Sequence, residues 1–127
     1  MIYQDIIILK ANSQDRNLMQ YTSECLQKIV NELKEFSIKV TEGFTSKRIG
    51  KANNFRIKDN KLICDININD GLSCDCNKVY PACLLKCKPK IKENKKDIIK
   101  DATLILIGLC DNNADETIKP IIIQEEK

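Results

Sequence analysis

The sequence predicts an α+β fold: a mostly antiparallel β-sheet or partly closed β-barrel with one main α-helix, over residues 23–35. Three observations point there. Apolar residues fill 43 % of 127 positions while aromatics make up only 5 %, so the core rests on β-branched aliphatics, chiefly isoleucine, which favour strands. Period-two alternation recurs along the chain, and a 3.6-residue period occurs clearly once. The length suits a single domain spanning residues 1–127.

Residues 3–10 (YQDIIILK) read as a buried strand with a continuous apolar run, and residues 11–20 as a polar, turn-rich link. Thr22 is placed to cap a helix, with Glu24 in the first turn, where the helix dipole favours an acid. Leu26, Ile29, Val30 and Leu33 then fall at i, i+3, i+4 and i+7, flanked by Cys25 and Phe36. Residues 37–41 form a short strand with Ile38 and Val40 on one face, and a basic loop with Gly43 and Gly50 occupies residues 42–51. A hairpin follows, turning on Asp59-Asn60, two residues that tolerate positive φ. Its register pairs Ile57 with Leu62 and Phe55 with Cys64, and sets Lys58 opposite Lys61 at the tip.

Residues 70–80 read as a loop. Over residues 82–92 alternation returns: Cys83, Leu85, Cys87 and Ile91 on one side, Leu84, Lys86, Lys88, Lys90 and Lys92 on the other. Pro89 removes a backbone donor, which together with the lysine row predicts an edge strand. Residues 93–96 are a polar turn and residues 97–102 carry no clear pattern. Residues 103–110 (TLILIGLC) form a central buried strand, residues 111–116 a turn, and residues 118–124 an extended tail with Pro120 before Ile121, Ile122 and Ile123.

The net charge of +3 is too mild to imply a polyanionic partner. It is unevenly spread: residues 78–100 carry eight lysines against Glu93 and Asp97, whereas residues 111–127 carry five acids against Lys119 and Lys127. Such a dipolar surface helps a charged partner, or another copy, dock in one orientation. No signal peptide is evident at the start, and the longest apolar runs are too short to span a bilayer, so no membrane association is expected. Seven cysteines without an export signal point to free thiols in a reduced compartment.

Histidine is absent. Ser-His-Asp and Cys-His catalysis and imidazole metal ligation are thereby excluded, and an enzyme is not expected. Cys74, Cys76, Cys83 and Cys87 offer four thiolates for zinc, but the spacing is not a pair of C-x2-C knuckles, and Cys83 and Cys87 equally fit the inward row of a strand. Ser73 or Cys74 as a nucleophile would have only Lys78 near as base, and Asp65 with Asp75 is the least implausible carboxylate pair. No metal or cofactor is therefore expected. The lysine-rich stretch lacks interleaved aromatics, so a protein-docking surface is expected there in preference to a nucleic-acid one. Candidate contact residues are Lys86, Lys88, Lys90, Lys92, Ile121, Ile122 and Ile123.

Several segments share a pattern. Asn12-Ser13-Gln14-Asp15-Arg16-Asn17, followed by Tyr21-Thr22-Ser23-Glu24-Cys25-Leu26, resembles a D-R-x-G-D-type turn before a helix. Arg48-Ile49-Gly50-Lys51-Ala52, then Lys61-Leu62-Ile63-Cys64-Asp65-Ile66, resembles an I-G-K-A strand and its hairpin. Gly108-Leu109-Cys110, Asn113-Ala114-Asp115 and Lys119-Pro120-Ile121 resemble a late strand and an N-P-A-type turn. Together they resemble the head-maturation (prohead) proteases of bacteriophages. Those enzymes rely on a serine and on a histidine just before the I-G-K segment, where this chain reads Glu42-Gly43-Phe44-Thr45-Ser46-Lys47. The resemblance thus implies a protease-like barrel that has lost its chemistry and serves as a virion part. Such a part would be a capsid decoration or accessory protein, made in the host cytoplasm, that binds the major capsid protein or self-associates. Two other classes stand beside it: a small phage-encoded binder of a host factor or nucleotide signal, and a cysteine or zinc module.

Overall fold

The computed structural model describes residues 2–12, 19–69, 78–87, 91–93, 96–110 and 118–122. Its elements, in chain order, are β1 (Ile2–Lys10), β2 (Met19–Tyr21), α1 (Ser23–Glu32), β3 (Ile38–Glu42), β4 (Arg48–Lys58), β5 (Lys61–Ile68), β6 (Lys78–Cys87), β7 (Ile91–Glu93), β8 (Lys96–Ile99), β9 (Ala102–Cys110) and β10 (Ile121–Ile122). Seven strands form one sheet in the order β1-β5-β4-β3-β9-β6-β10, antiparallel except where β3 runs parallel to β9. The sheet coils until β1 lies against β6, where the Cys83 thiol donates to the Ile8 carbonyl at 3.6 Å. The fold is therefore α+β with a nearly closed, antiparallel-rich barrel.

Bulges produce the coiling. Each long antiparallel ladder, β1–β5, β3–β4, β4–β5 and β6–β9, contains a register shift. An extra residue on one strand bends it and raises the local twist, which is what turns a flat sheet into a barrel. The β4–β5 hairpin keeps the expected Ile57–Leu62 and Lys58–Lys61 pairs, and Asp59 and Asn60 both adopt positive φ (53° and 61°) at its turn. Beyond Arg56 a bulge at Asn54-Phe55 replaces the expected Phe55–Cys64 pair, although both side chains still reach the core (6 % and 0 % exposed).

The helix forms as its pattern requires. The Thr22 hydroxyl accepts from the Cys25 amide at 3.1 Å, and Cys25, Leu26 and Ile29 are wholly buried against β4, β5 and β9. Each such aliphatic side chain contributes about 1.5–3 kcal/mol through burial. The helix stops at Glu32, not at residue 35: the Leu33 amide closes onto Ile29 and Val30 carbonyls, and the apolar stripe ends there because Phe36 points to solvent. Lys28 ties the helix to Asp101 by an ion pair.

Other expectations are corrected. The loop predicted for residues 42–51 is only its first half, since β4 begins at Arg48, and Lys78–Tyr80 belongs to β6. The strand predicted over residues 82–92 is two strands: β6 ends at Cys87, and Ile91 pairs with Ile98 in a second, three-stranded sheet of order β2-β8-β7. β2, within the predicted turn-rich link, runs parallel to β8 and carries the chain into α1 through the bond from the Thr22 amide to the Ile99 carbonyl, 3.0 Å. Nor is β6 a free edge, for it lies between β9 and β10 and faces β1 across the seam. The central position of β9 is as expected.

Candidate functional site

Outward-facing apolar residues gather on one part of the barrel wall. In the β6–β9 ladder Leu84 lies opposite Leu106 and Ala82 opposite Gly108, while Cys83 and Ile107 turn inward. The bulge between Leu84 and Leu85 places Ile105 outside as well, and Leu84 and Ile105 are 40 % and 42 % exposed. Over Gly108 lies the loop from β3 to β4. A Cβ at that position would stand 2.6 Å from the Gly43 carbonyl oxygen and 2.9 Å from the Phe44 ring, so only glycine admits this approach. The loop is held by the Gly43 amide on the Leu109 carbonyl (2.9 Å), by the Thr41 hydroxyl on the Gly43 carbonyl, and by the Lys47–Glu42 ion pair at 3.2 Å. Phe44, 55 % exposed, thus lies on the same outer side of the β6–β9 ladder as Leu84 and Ile105, and Lys86 is exposed on β6 beyond Leu84. Patches of this kind mark interaction sites more often than isolated exposed side chains do.

A polar cluster occupies another part of the wall. Bulges in β1 and β4 face each other across β5 at Asp65, and each supplies a residue with positive φ, Asp5 (57°) and Asn54 (58°). The Asp65 carboxylate accepts from the Asn54 side-chain amide at 2.9 Å and from the Asp5 backbone amide at 3.1 Å. Arg56 reaches Asp65 at 3.4 Å, donates to the Asn54 carbonyl at 2.8 Å and pairs with the Asp5 carboxylate. The Asn54 hydrogen bond, then the Asp5 amide and the Arg56 charge, hold the Asp65 carboxyl below its ordinary range against the opposing effect of burial. The arrangement stabilises the charge and suits a structural clamp better than proton transfer. A group whose folded-state pKa is depressed contributes stability that is present above its unfolded pKa and lost as pH falls through the folded value. Urea midpoints measured between neutral and acid pH are therefore expected to fall for the native chain, and to fall less steeply for Asp65→Asn.

Among the described residues the Cys25 and Cys64 side chains are buried and those of Cys83, Cys87 and Cys110 are half-buried. Burial pushes Cys25 up to about 11 and Cys64 up to about 12, with Cys87 and Asp101 adding to the first and Asp65 to the second. Burial raises the Cys83 thiol too. Burial thus disfavours the thiolate that nucleophilic attack needs. Cys83 and Cys87 occupy the inward row of β6 with Leu85 between them, packed on the core. Cys74 and Cys76, like Ser73 and Asp75, lie outside the described residues. Among the described residues no group of three or more histidines, cysteines, aspartates or glutamates could hold a metal ion. Also among them, no helix is long and apolar enough to cross a membrane.

The predicted contact row is rearranged. Ile121 turns into the core (3 % exposed) because it pairs with Val79, leaving Ile122 outside at 59 %. Lys86 is on β6 and Lys92 on β7, in different sheets, so they do not form one edge. Lys88, Lys90 and Ile123 lie outside the described residues. The Phe44–Leu84–Ile105 face went unpredicted because it depends on a bulge and a glycine contact between distant segments. The Asp65 clamp went unpredicted too, because it depends on bulges in β1 and β4 that bring Asp5 and Asn54 to β5.

Fold and surface together define a small filled barrel with an apolar outer face. Comparison with protein-family models, with curated proteins and with solved structures gives no match.

Proposed function

We propose that this chain is a non-enzymatic association protein that docks another protein on the outer face formed by Phe44, Leu84 and Ile105. That face is the observation that carries the reading. Three large exposed apolar side chains, Phe44 over Gly108 and Leu84 and Ile105 further along the β6–β9 ladder, stand on a sheet whose inner side is already filled by residues such as Val40, Leu62, Ile66 and Ile107. The buried thiols and the clamped Asp65 also favour a structural over a chemical role. A partner with an apolar centre and an acidic rim complements the face and Lys86.

The sequence resemblance to prohead proteases, lacking their histidine, supports a particular partner: the major capsid protein of a bacteriophage, with this chain as a capsid decoration or accessory component on the virion surface. The test is co-sedimentation of the purified chain with assembled capsids. The native chain is expected to sediment with them to saturation. Leu84→Asp and Ile105→Asp replace exposed residues, so they are expected to keep the native melting temperature while binding at least tenfold more weakly. Equal sedimentation of the variants would displace the site. A mass in solution that doubles with concentration, lost in the same variants, would assign the face to self-association instead.

A further inference from the structure

We propose that the groove between the end of α1 and β4 binds a mononucleotide, an aromatic base joined to a phosphate. The groove is open, has a volume of about 400 Å³, and its lining includes Lys34, Glu35, Phe36, Lys51, Asn53 and Asn54. That volume falls in the range of small-ligand sites, about 300–1,000 Å³.

Three observations converge on this ligand. Phe36 is 66 % exposed, more than any other large apolar side chain among the described residues, and it stands where the helix has just ended. An aromatic ring left in water beside polar groups is a stacking platform for a base. Next, β3 and β4 pair Lys39 directly with Lys51, both outward and exposed. Like charges in register across two strands destabilise the sheet, and neither lysine, nor Lys34, has an ion-pair partner among the described residues. An anion bound between them would relieve that repulsion. Finally, Asn53 presents an exposed amide from the strand between these positions, able both to donate to and accept from a base or sugar edge.

The polarity of the groove sets the ligand's direction. Lys34 and Glu35 offset each other beside Phe36, whereas the paired Lys39 and Lys51 leave the strand side with net positive charge, so the phosphate belongs there and the base on Phe36. Two or three lysines in one short groove match the charge of one phosphate group better than a strand of several nucleotides. The site is separate from the Phe44–Leu84–Ile105 face, and neither proposal depends on the other.

Titration of the full chain with adenosine 5′-monophosphate, followed by backbone amide shifts, tests the assignment, with adenosine and inorganic phosphate as separate arms. The nucleotide is expected to move the amides of residues 34–37 and 51–54 and to bind more tightly than either fragment. Phe36→Ala is expected to weaken nucleotide and adenosine alike by about tenfold, a typical loss for one stacked base. Lys51→Ala should weaken the nucleotide and inorganic phosphate but spare adenosine, and Glu35→Gln should tighten the nucleotide. All three residues are exposed, and unchanged melting temperatures will show that the fold is intact. Absence of shifts at those amides, or equal binding of nucleotide and inorganic phosphate, would overturn the proposal. So would a single-stranded oligonucleotide that binds far more tightly, with a salt dependence of several phosphates, in favour of nucleic acid.

Discussion

Replacing Gly50 with alanine is expected to destabilise the barrel by about 3 kcal/mol or more, the upper part of the range for forcing atoms into a packed interior. Gly50 sits in β4 between Val40 of β3 and Ile68 of β5. A Cβ there would stand 2.0 Å from the Asn67 carbonyl oxygen and 3.0 Å from the Ile68 Cα. All the atoms in the way are backbone, so no rotamer change relieves the clash, and the β4–β5 ladder must part locally. Against a total stability of about 5–15 kcal/mol for a domain of this size, the loss is large. Urea denaturation will measure it as a lower midpoint at an unchanged slope. Gly43→Ala is the contrast: φ is +58° but the added Cβ meets nothing within 4 Å. Only the strain of the left-handed conformation is added there, about 1–2 kcal/mol. A Gly50→Ala chain as stable as the native one would show that β4 and β5 do not approach as described.

The second large effect is expected from Leu26→Ala, at about 2–5 kcal/mol. Leu26 is wholly buried on the face of α1 that packs on β4, β5 and β9, with Cys25 and Ile29 beside it. Truncation leaves a cavity between the helix and a close-packed barrel wall, which can collapse into it only in part. Thermal unfolding will report the loss, and amide exchange will locate it, with α1 losing protection first. Leu33→Ala, at the half-buried helix end, should cost less. If the two substitutions cost the same, the helix does not seat on the barrel through Leu26.

Much of this fold is legible in the residues because long elements carry their own period. The i, i+3, i+4, i+7 stripe of α1, the positive-φ turn at Asp59-Asn60 and the unbroken apolar run of β9 each identify an element without help from the rest of the chain. Strands of three or four residues cannot show a period, which is why β2 and β8 were read as turns or left unassigned and β7 was merged into the strand before it. Their pairing is set by which distant segment lies alongside, as with Tyr21 and Ile99. Bulges defeat a register argument for a related reason: one inserted residue at Asn54-Phe55 breaks the Phe55–Cys64 pair while Ile57–Leu62 survives.

The candidate surfaces divide in the same way. The tail isoleucines were read together as contact residues, yet where Ile121 and Ile122 pair with β6, alternation sends Ile121 inward and Ile122 out. Leu84 and Lys86 were placed on one side of a strand, and both do face outward. Their neighbours Ile105 and Phe44 arrive from β9 and from the loop over Gly108, contacts between segments dozens of residues apart that no local pattern encodes.

We propose that the Phe44–Leu84–Ile105 face joins this chain to a phage capsid. Quantitative mass spectrometry of purified virions, from phage carrying the native gene and from phage carrying Leu84→Asp, tests it most directly. The native chain is expected at a fixed ratio to the major capsid protein, and the folded variant is expected to be missing. Virions that lack the native chain, or that take up the variant equally well, would contradict it.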